Sequence, residues 1–242
     1  MIKITLIHGQ NHKGSTYHIA RMTAEKISDS IEEFFLPQDF GEGCLGCLAC
    51  LHKGRKSCPR SEKVGVIFDS MLSSDVIIID SPTYVMEMTS HLKGFFEHIY
   101  TAWLAHRPEE AMFSKAAVAV STAAGMGMNG VTKSIAKQLF YLGVPKTYRT
   151  PFRVMAASWD GVSDKVKTQI NRKTDKIAHR IVSKKGKSAP GLKTKLIFMM
   201  MRKFQKGNAY APLDKTYWAN KGWLGKKRPW NKGILAIMSE EK

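Results

Sequence analysis

The sequence predicts a doubly wound α/β domain on a five-stranded parallel sheet, followed by a basic C-terminal extension. Three observations predict it. Short apolar runs alternate with helical patterns along residues 1–182. One run, Val76-Ile77-Ile78-Ile79, is continuously apolar and β-branched, which suits a strand covered on both faces. The loops after the first, third and fourth runs are rich in Gly, Ser, Thr and Pro, as ligand-facing turns are.

Ile2, Ile4 and Leu6 alternate with Lys3 and Thr5, so a first strand is expected there, feeding a helix over residues 15–33. A short second strand is expected at 34–37, then a helix at 62–74, the third strand at 76–79 and a helix at 89–106. The fourth strand falls at 116–120, with a helix at 130–142, a fifth strand within 144–154 and a polar amphipathic helix at 163–182. Parallel strands need crossovers, and right-handed crossovers place helices on both faces. Ligands then sit beyond the carboxyl ends of the strands, where strand order reverses. The pattern breaks at Lys184-Lys185-Gly186-Lys187-Ser188-Ala189-Pro190-Gly191, which reads as a linker. Domain boundaries of 1–183 and 184–242 follow. The extension shows one helix candidate at 192–206, whose Met199-Met200-Met201 run reads as a packing face, and then a Trp-rich stretch without periodicity.

Composition bounds the function. A hydrophobic fraction of 43% and a charged fraction of 24% are those of an ordinary globular domain. No stretch approaches the roughly 20 apolar residues of a spanning helix, and the N-terminus lacks the pattern of a signal peptide, so a cytoplasmic location is expected. The formal charge is +18, and 13 Lys and 2 Arg against Asp214, Glu240 and Glu241 put +12 of it at 184–242. That tail leaves an anionic membrane surface open as a partner. Nucleic acid is set aside, although Trp218, Trp223 and Trp230 among the lysines are the residues such a binder would use. The same rings are too large to leave in water, so the extension is expected to pack on the domain or on a partner subunit. His91, His98 and His106 are expected along one helix face as surface or capping residues.

The first loop can bind an anion, because the opening N–H groups of a helix lack partners and its dipole favours negative charge. Gly14 allows close approach, Ser15 and Thr16 add hydroxyls, and His12 and Lys13 add positive charge. The spacing is neither G-x-G-x-x-G nor a Walker A loop. Ser81-Pro82-Thr83-Tyr84 follows the third strand and Thr122-Ala123-Ala124-Gly125-Met126-Gly127 the fourth, so three such loops face one crevice. All four cysteines, Cys44, Cys47, Cys50 and Cys58, lie in one short loop. Their clustering points to metal, cluster or redox chemistry, and four thiolates suit a [4Fe–4S] cluster or zinc, with free thiols as the other option.

Together, the Gly9 to Thr16 loop, the Cys-x-x-Cys-x-x-Cys-x7-Cys loop, Ser81-Pro82-Thr83-Tyr84 with Leu92-Lys93, and the glycine-rich fourth loop resemble the NADPH-dependent FMN reductase superfamily, closest to its iron-sulfur flavoprotein branch. The likeness covers residues 1–180, and the first loop departs from the family's usual Gly-Ser-Pro-Arg. The resemblance implies a flavodoxin-like fold and FMN. Its phosphate would lie on Gln10, His12, Ser15 and Thr16, and its ring between Pro82, Thr83, Tyr84 and Ala124, Gly125 and Gly127. It implies electron transfer from NAD(P)H through FMN to a quinone, flavin or other acceptor, and a homodimer or homotetramer. The alternative is a flavin or iron-sulfur electron carrier reduced by a protein partner.

Overall fold

The computed structural model describes residues 1–231, so the part of the extension at 232–242 lies outside the described residues. Five strands, β1 (Ile4–His8), β2 (Ile31–Phe35), β3 (Val76–Asp80), β4 (Ala116–Ala123) and β5 (Lys146–Arg153), form one parallel sheet in the order β2-β1-β3-β4-β5. Strand order reverses between β1 and β3, so the crevice outside their carboxyl ends is the place where such a sheet takes a ligand.

Alternation in the strands sorts the core into two layers. Ile7, Ile77, Ile79, Ala117 and Ala119 face α3 (Ser61–Ser73), α4 (Ser90–His98) and α5 (Met128–Tyr141), which contribute Phe68, Phe95 and Ile135. Ile4, Leu6, Val76, Ile78 and Val118 face α1 (Ser15–Glu25) and α6 (Asp164–Val182), with Ile19, Ile170 and Ile177. Both faces of β3 are therefore covered, which is why its sequence is apolar throughout. The edge strand β5 is largely half-exposed and accommodates Pro151, whose missing N–H a central strand would not tolerate.

Several elements differ from the expectation. α1 stops at Glu25 and β2 begins at Ile31, because Ser28-Asp29-Ser30 turns the chain, with the Ser30 N–H donating to Ser28 Oγ at 3.2 Å. The apolar spacing of Ile27 and Ile31 therefore belongs to a turn and a strand. The helix expected at 89–106 ends at His98, and Tyr100–Ala102 forms a separate tight turn. A short helix, α2 (Ala49–Lys53), lies inside the cysteine loop.

In the extension, α7 (Leu192–Lys206) is joined by α8 (Pro212–Asn220), which no periodicity announced but whose first position is a proline, where its missing N–H is harmless. Phe198, Trp218 and Trp223 are buried in one cluster with Leu104 and Phe113, which lie between α4 and β4. Trp218 Nε1–H donates to the His106 carbonyl at 2.5 Å, Tyr217 Oη–H to that of Pro108 at 2.8 Å and Gln205 Nε2–H to that of Ala105 at 2.6 Å. Tyr210, by contrast, stays exposed. Among the described residues no helix is long and apolar enough to cross a membrane.

Candidate functional site

The loops after β1, β3 and β4 meet around a crevice of about 240 Å³. From the first loop and α1 come Gln10, His12, Gly14, Ser15 and Thr16; from the others come Pro82, Thr83, Tyr84 and Ala124. Gly14 precedes α1 in an extended conformation, no side chain caps that N-terminus, and the first turn carries no acid. The opening N–H groups of α1 therefore face the crevice as donors for an anion. Thr16 Oγ1 lies 2.5 Å from Thr122 Oγ1, tying this loop to the end of β4, and Gln10 Nε2 donates to Tyr84 Oη at 3.2 Å across the rim. This donor set and the crevice above it suit a phosphate-bearing planar ligand such as FMN.

Gly125 and Gly127 stand outside the crevice lining. Gly127 has φ +98°, and a Cβ there would come within 2.6 Å of Thr83 Cγ2, so it lets the third and fourth loops pack together. Next to it, Tyr84 and Glu87 exchange backbone hydrogen bonds at 3.0 and 2.9 Å, with Val85 and Met86 between them at φ +48° and +67°. Both side chains point to solvent.

Sequence reasoning missed the floor of the crevice. Asp80, Val154, Ala156 and Ala157 also line it, beside Thr122 and Ala123 of the fourth loop. Asp80 is buried and bonded to Nδ1 of His8, whose Nε2 lies 2.8 Å from Glu33 Oε1; Arg21 Nη1 meets the other oxygen of Glu33 at 3.2 Å. With a carboxylate at each ring nitrogen, the surroundings favour the protonated ring of His8, in which both nitrogens donate. Burial pushes its pKa down, but the charges and hydrogen bonds of Asp80 and Glu33 outweigh that and the pKa is raised. The signal was present in the sequence, since a polar residue closes each of two apolar strands, Ile7-His8 and Ile79-Asp80.

The four cysteines line a second pocket with Arg60, His98 and Tyr100. Cys44 and Cys47 are exposed, Cys50 is buried and Cys58 half-buried. Among the described residues no three His, Cys, Asp or Glu side chains are gathered as metal ligands. The donor chemistry suits a cluster or zinc, while this arrangement does not itself assemble one. Burial pushes the Cys50 thiol up. His98 is not a surface residue: it is buried, with Nε2 3.3 Å from the Glu42 carbonyl and Nδ1 3.6 Å from Cys58 Sγ. His106, beyond the end of α4, bonds Asp214 of α8 at 2.7 Å, and His91 lies 3.4 Å from the Gly41 carbonyl, so the three histidines have three different environments. Arg107 joins the extension to the cysteine loop: its guanidinium bonds Asp214 and donates to the carbonyls of Cys50 at 2.6 Å and Leu51 at 3.2 Å.

Comparison with known proteins agrees with this architecture. An iron-sulfur flavoprotein of Clostridioides difficile is 30% identical over 125 residues, 49% of this chain and 53% of its own length. One of Archaeoglobus fulgidus is 28% identical over 99 residues, 40% of this chain and 48% of its own length. The chain thus spans about half the length of these curated relatives. Among solved structures, the NAD(P)H:acceptor oxidoreductase FerB of Paracoccus denitrificans superposes with a TM-score of 0.53 at 16% identity, covering 78% of this chain and 100% of FerB. An NADH:FMN oxidoreductase in its apo form gives 0.51 at 17% identity, covering 74% and 90%. These two share the fold. The family model described as NADPH-dependent FMN reductase matches residues 2–150, more than half of the 242 residues, and the chain belongs to that family.

Proposed function

We propose that this protein is an FMN-dependent oxidoreductase that takes electrons from NAD(P)H and passes them to a quinone, a flavin or another acceptor. The observation that carries the reading is the convergence of three strand-end loops on one crevice at the uncapped N-terminus of α1. The N–H groups of Ser15 and Thr16, their hydroxyls, Gln10 and His12 would hold the phosphate. Pro82, Thr83, Tyr84 and Ala124 would flank the ring, with Gly125 and Gly127 shaping the fourth loop rather than touching the ligand. When bound, FMN supplies the hydride-accepting and electron-donating chemistry. The protein's part is to hold the ring, to keep the Asp80 carboxylate neutralised by His8 beneath it, and to leave one face open to nicotinamide and acceptor in turn.

The four cysteines belong to the same reading. Cys44, Cys47, Cys50 and Cys58 would hold a [4Fe–4S] cluster, which supplies one-electron transfer when present. Their shared pocket, the adjacent Arg60 and the names of the two curated relatives support this. Four free thiols in one loop also fit a reducing compartment such as the cytoplasm. A homodimer or homotetramer accompanies this reading.

Steady-state oxidation of NADPH and NADH by protein reconstituted with FMN tests it. Ping-pong kinetics with a quinone acceptor are expected. Protein that takes up no FMN would overturn the proposal, and FMN-loaded protein that neither nicotinamide reduces would identify a carrier served by a protein partner. Iron and acid-labile sulfide after anaerobic purification test the cluster separately: about four of each per chain are expected, and neither element after reconstitution removes it.

A further inference from the structure

We infer that α7 is an interfacial helix that seats this protein on an anionic lipid surface. One face of α7 anchors it, with Phe198 fully buried and Thr194 and Gln205 also inside. The opposite face should be polar in a helix that simply covers a domain. Instead, Leu192 is 83% exposed, Leu196 68%, Met199 39%, Met200 57% and Phe204 57%. Counted from Leu192, these stand at i, i+4, i+7, i+8 and i+12, which is one continuous stripe along the helix. Aligned apolar side chains of this size mark a contact surface, whereas single exposed ones do not.

Charge selects the occupant. The fifteen residues of α7 hold Lys193, Lys195, Arg202, Lys203 and Lys206 and no acid. Lys195 and Lys206 border one side of the stripe and Lys203 lies within it, so their long stems can follow the apolar surface while the ammonium groups reach outward; Lys193 instead turns its ammonium over the Phe140 ring at 4.9 Å. The only acid of the extension among the described residues, Asp214, is buried and bonded to His106 and Arg107, so it offsets nothing outside. Two copies meeting through this face would oppose two cationic rims. An anionic bilayer supplies both matching halves, acyl chains for the stripe and headgroups for the lysines. Because the inner face of α7 is packed on Phe113, Trp218 and Trp223, the helix is presented already formed, and docking does not require it to fold.

The test is cosedimentation of the full-length, FMN-loaded protein with phosphatidylcholine vesicles, alone or mixed with about one part in three phosphatidylglycerol. Binding to the mixed vesicles only, weakened by salt, is expected. Leu196→Glu with Met200→Glu, and separately Lys195→Gln with Lys203→Gln and Lys206→Gln, should each lower the bound fraction about tenfold or more. Melting temperature and FMN content should stay unchanged, because all five side chains lie outside the core. Absence of binding to the mixed vesicles, or equal binding by the Leu196/Met200 variant, overturns the inference. So does a self-association that this variant abolishes, which would assign the face to a second copy, or lipid binding that appears only after residues 232–242 are deleted, which would assign it to the chain's own end. The readout is sedimentation rather than turnover, so its failure is distinct from any failure of the nicotinamide reading.

Discussion

Asp80 and His8 stand side by side in register at the carboxyl ends of β3 and β1, a buried carboxyl group and a buried imidazole bonded to each other beneath the crevice. A group whose pKa is raised by folding adds stability that is complete below its unfolded value, here 6.5, and is lost as pH rises through the folded value. Stability should therefore decline as pH rises above 6.5. Lys115 acts in the opposite sense at higher pH, because burial pushes its pKa from 10.5 down to about 8 and deprotonation then favours the folded form. Thermal melts between about pH 6 and 8 isolate the His8 contribution. Replacing His8→Phe strands Asp80 without a partner and should cost about 3–5 kcal/mol while weakening FMN retention.

Thr16 sits in the first turn of α1, with its hydroxyl against Thr122. The substitution Thr16→Glu would put a carboxylate where the phosphate is proposed to bind. FMN affinity should fall by about 10- to 150-fold, the range expected for losing a charged hydrogen bond. Unchanged affinity in a fluorescence titration would move the phosphate elsewhere.

Asp214 is fully buried against a partly buried Arg107, and the same guanidinium holds the carbonyls of Cys50 and Leu51. The change Asp214→Asn keeps the shape but leaves the cation uncompensated, so a loss of about 3 kcal/mol is expected. Cys50 should also react faster with a thiol reagent, because the contact that steadies its backbone is weakened. Asp69→Asn is the control: its pair with Arg55 is exposed and should change stability by less than about 1 kcal/mol.

Val85 and Met86 occupy the centre of a two-residue turn at positive φ, a conformation that Asn-Gly adopts far more readily. Val85→Asn together with Met86→Gly should raise stability by about 1–2 kcal/mol, read as a higher melting temperature. If the exposed apolar tip serves the acceptor, kcat/KM for a quinone should fall at the same time, and an unchanged value would make the strain purely structural.

How much of this was legible follows from the range of each interaction. The apolar runs of β1, β3 and β4 and the loops behind them are local patterns, so the sheet and the crevice-facing loops could be read directly. The ends of α1 and β2 were misjudged because Ile27 and Ile31 keep helical spacing across a turn that Ser28 and Ser30 create. His8 and Asp80 were visible as polar ends of apolar strands, but their pairing depends on strand register. The contact of Arg107 with Asp214 and Cys50 joins residues far apart in sequence, and the burial of His98 depends on how the cysteine loop folds over α4.

The burial of Phe113 and Leu104 beneath the rings of the extension also bears on ancestry. A domain that carries such an appendage can place large apolar residues where it would otherwise need polar ones, because they never meet water. Once it has done so, the appendage can no longer be shed neutrally: a chain ending at residue 183 would expose Phe113 and Leu104 as a sticky patch and release Arg107 from its counter-ion. Attachment of this kind works as a ratchet, easy to enter and costly to reverse, and it keeps residues 184–231 in place whether or not they touch the chemistry.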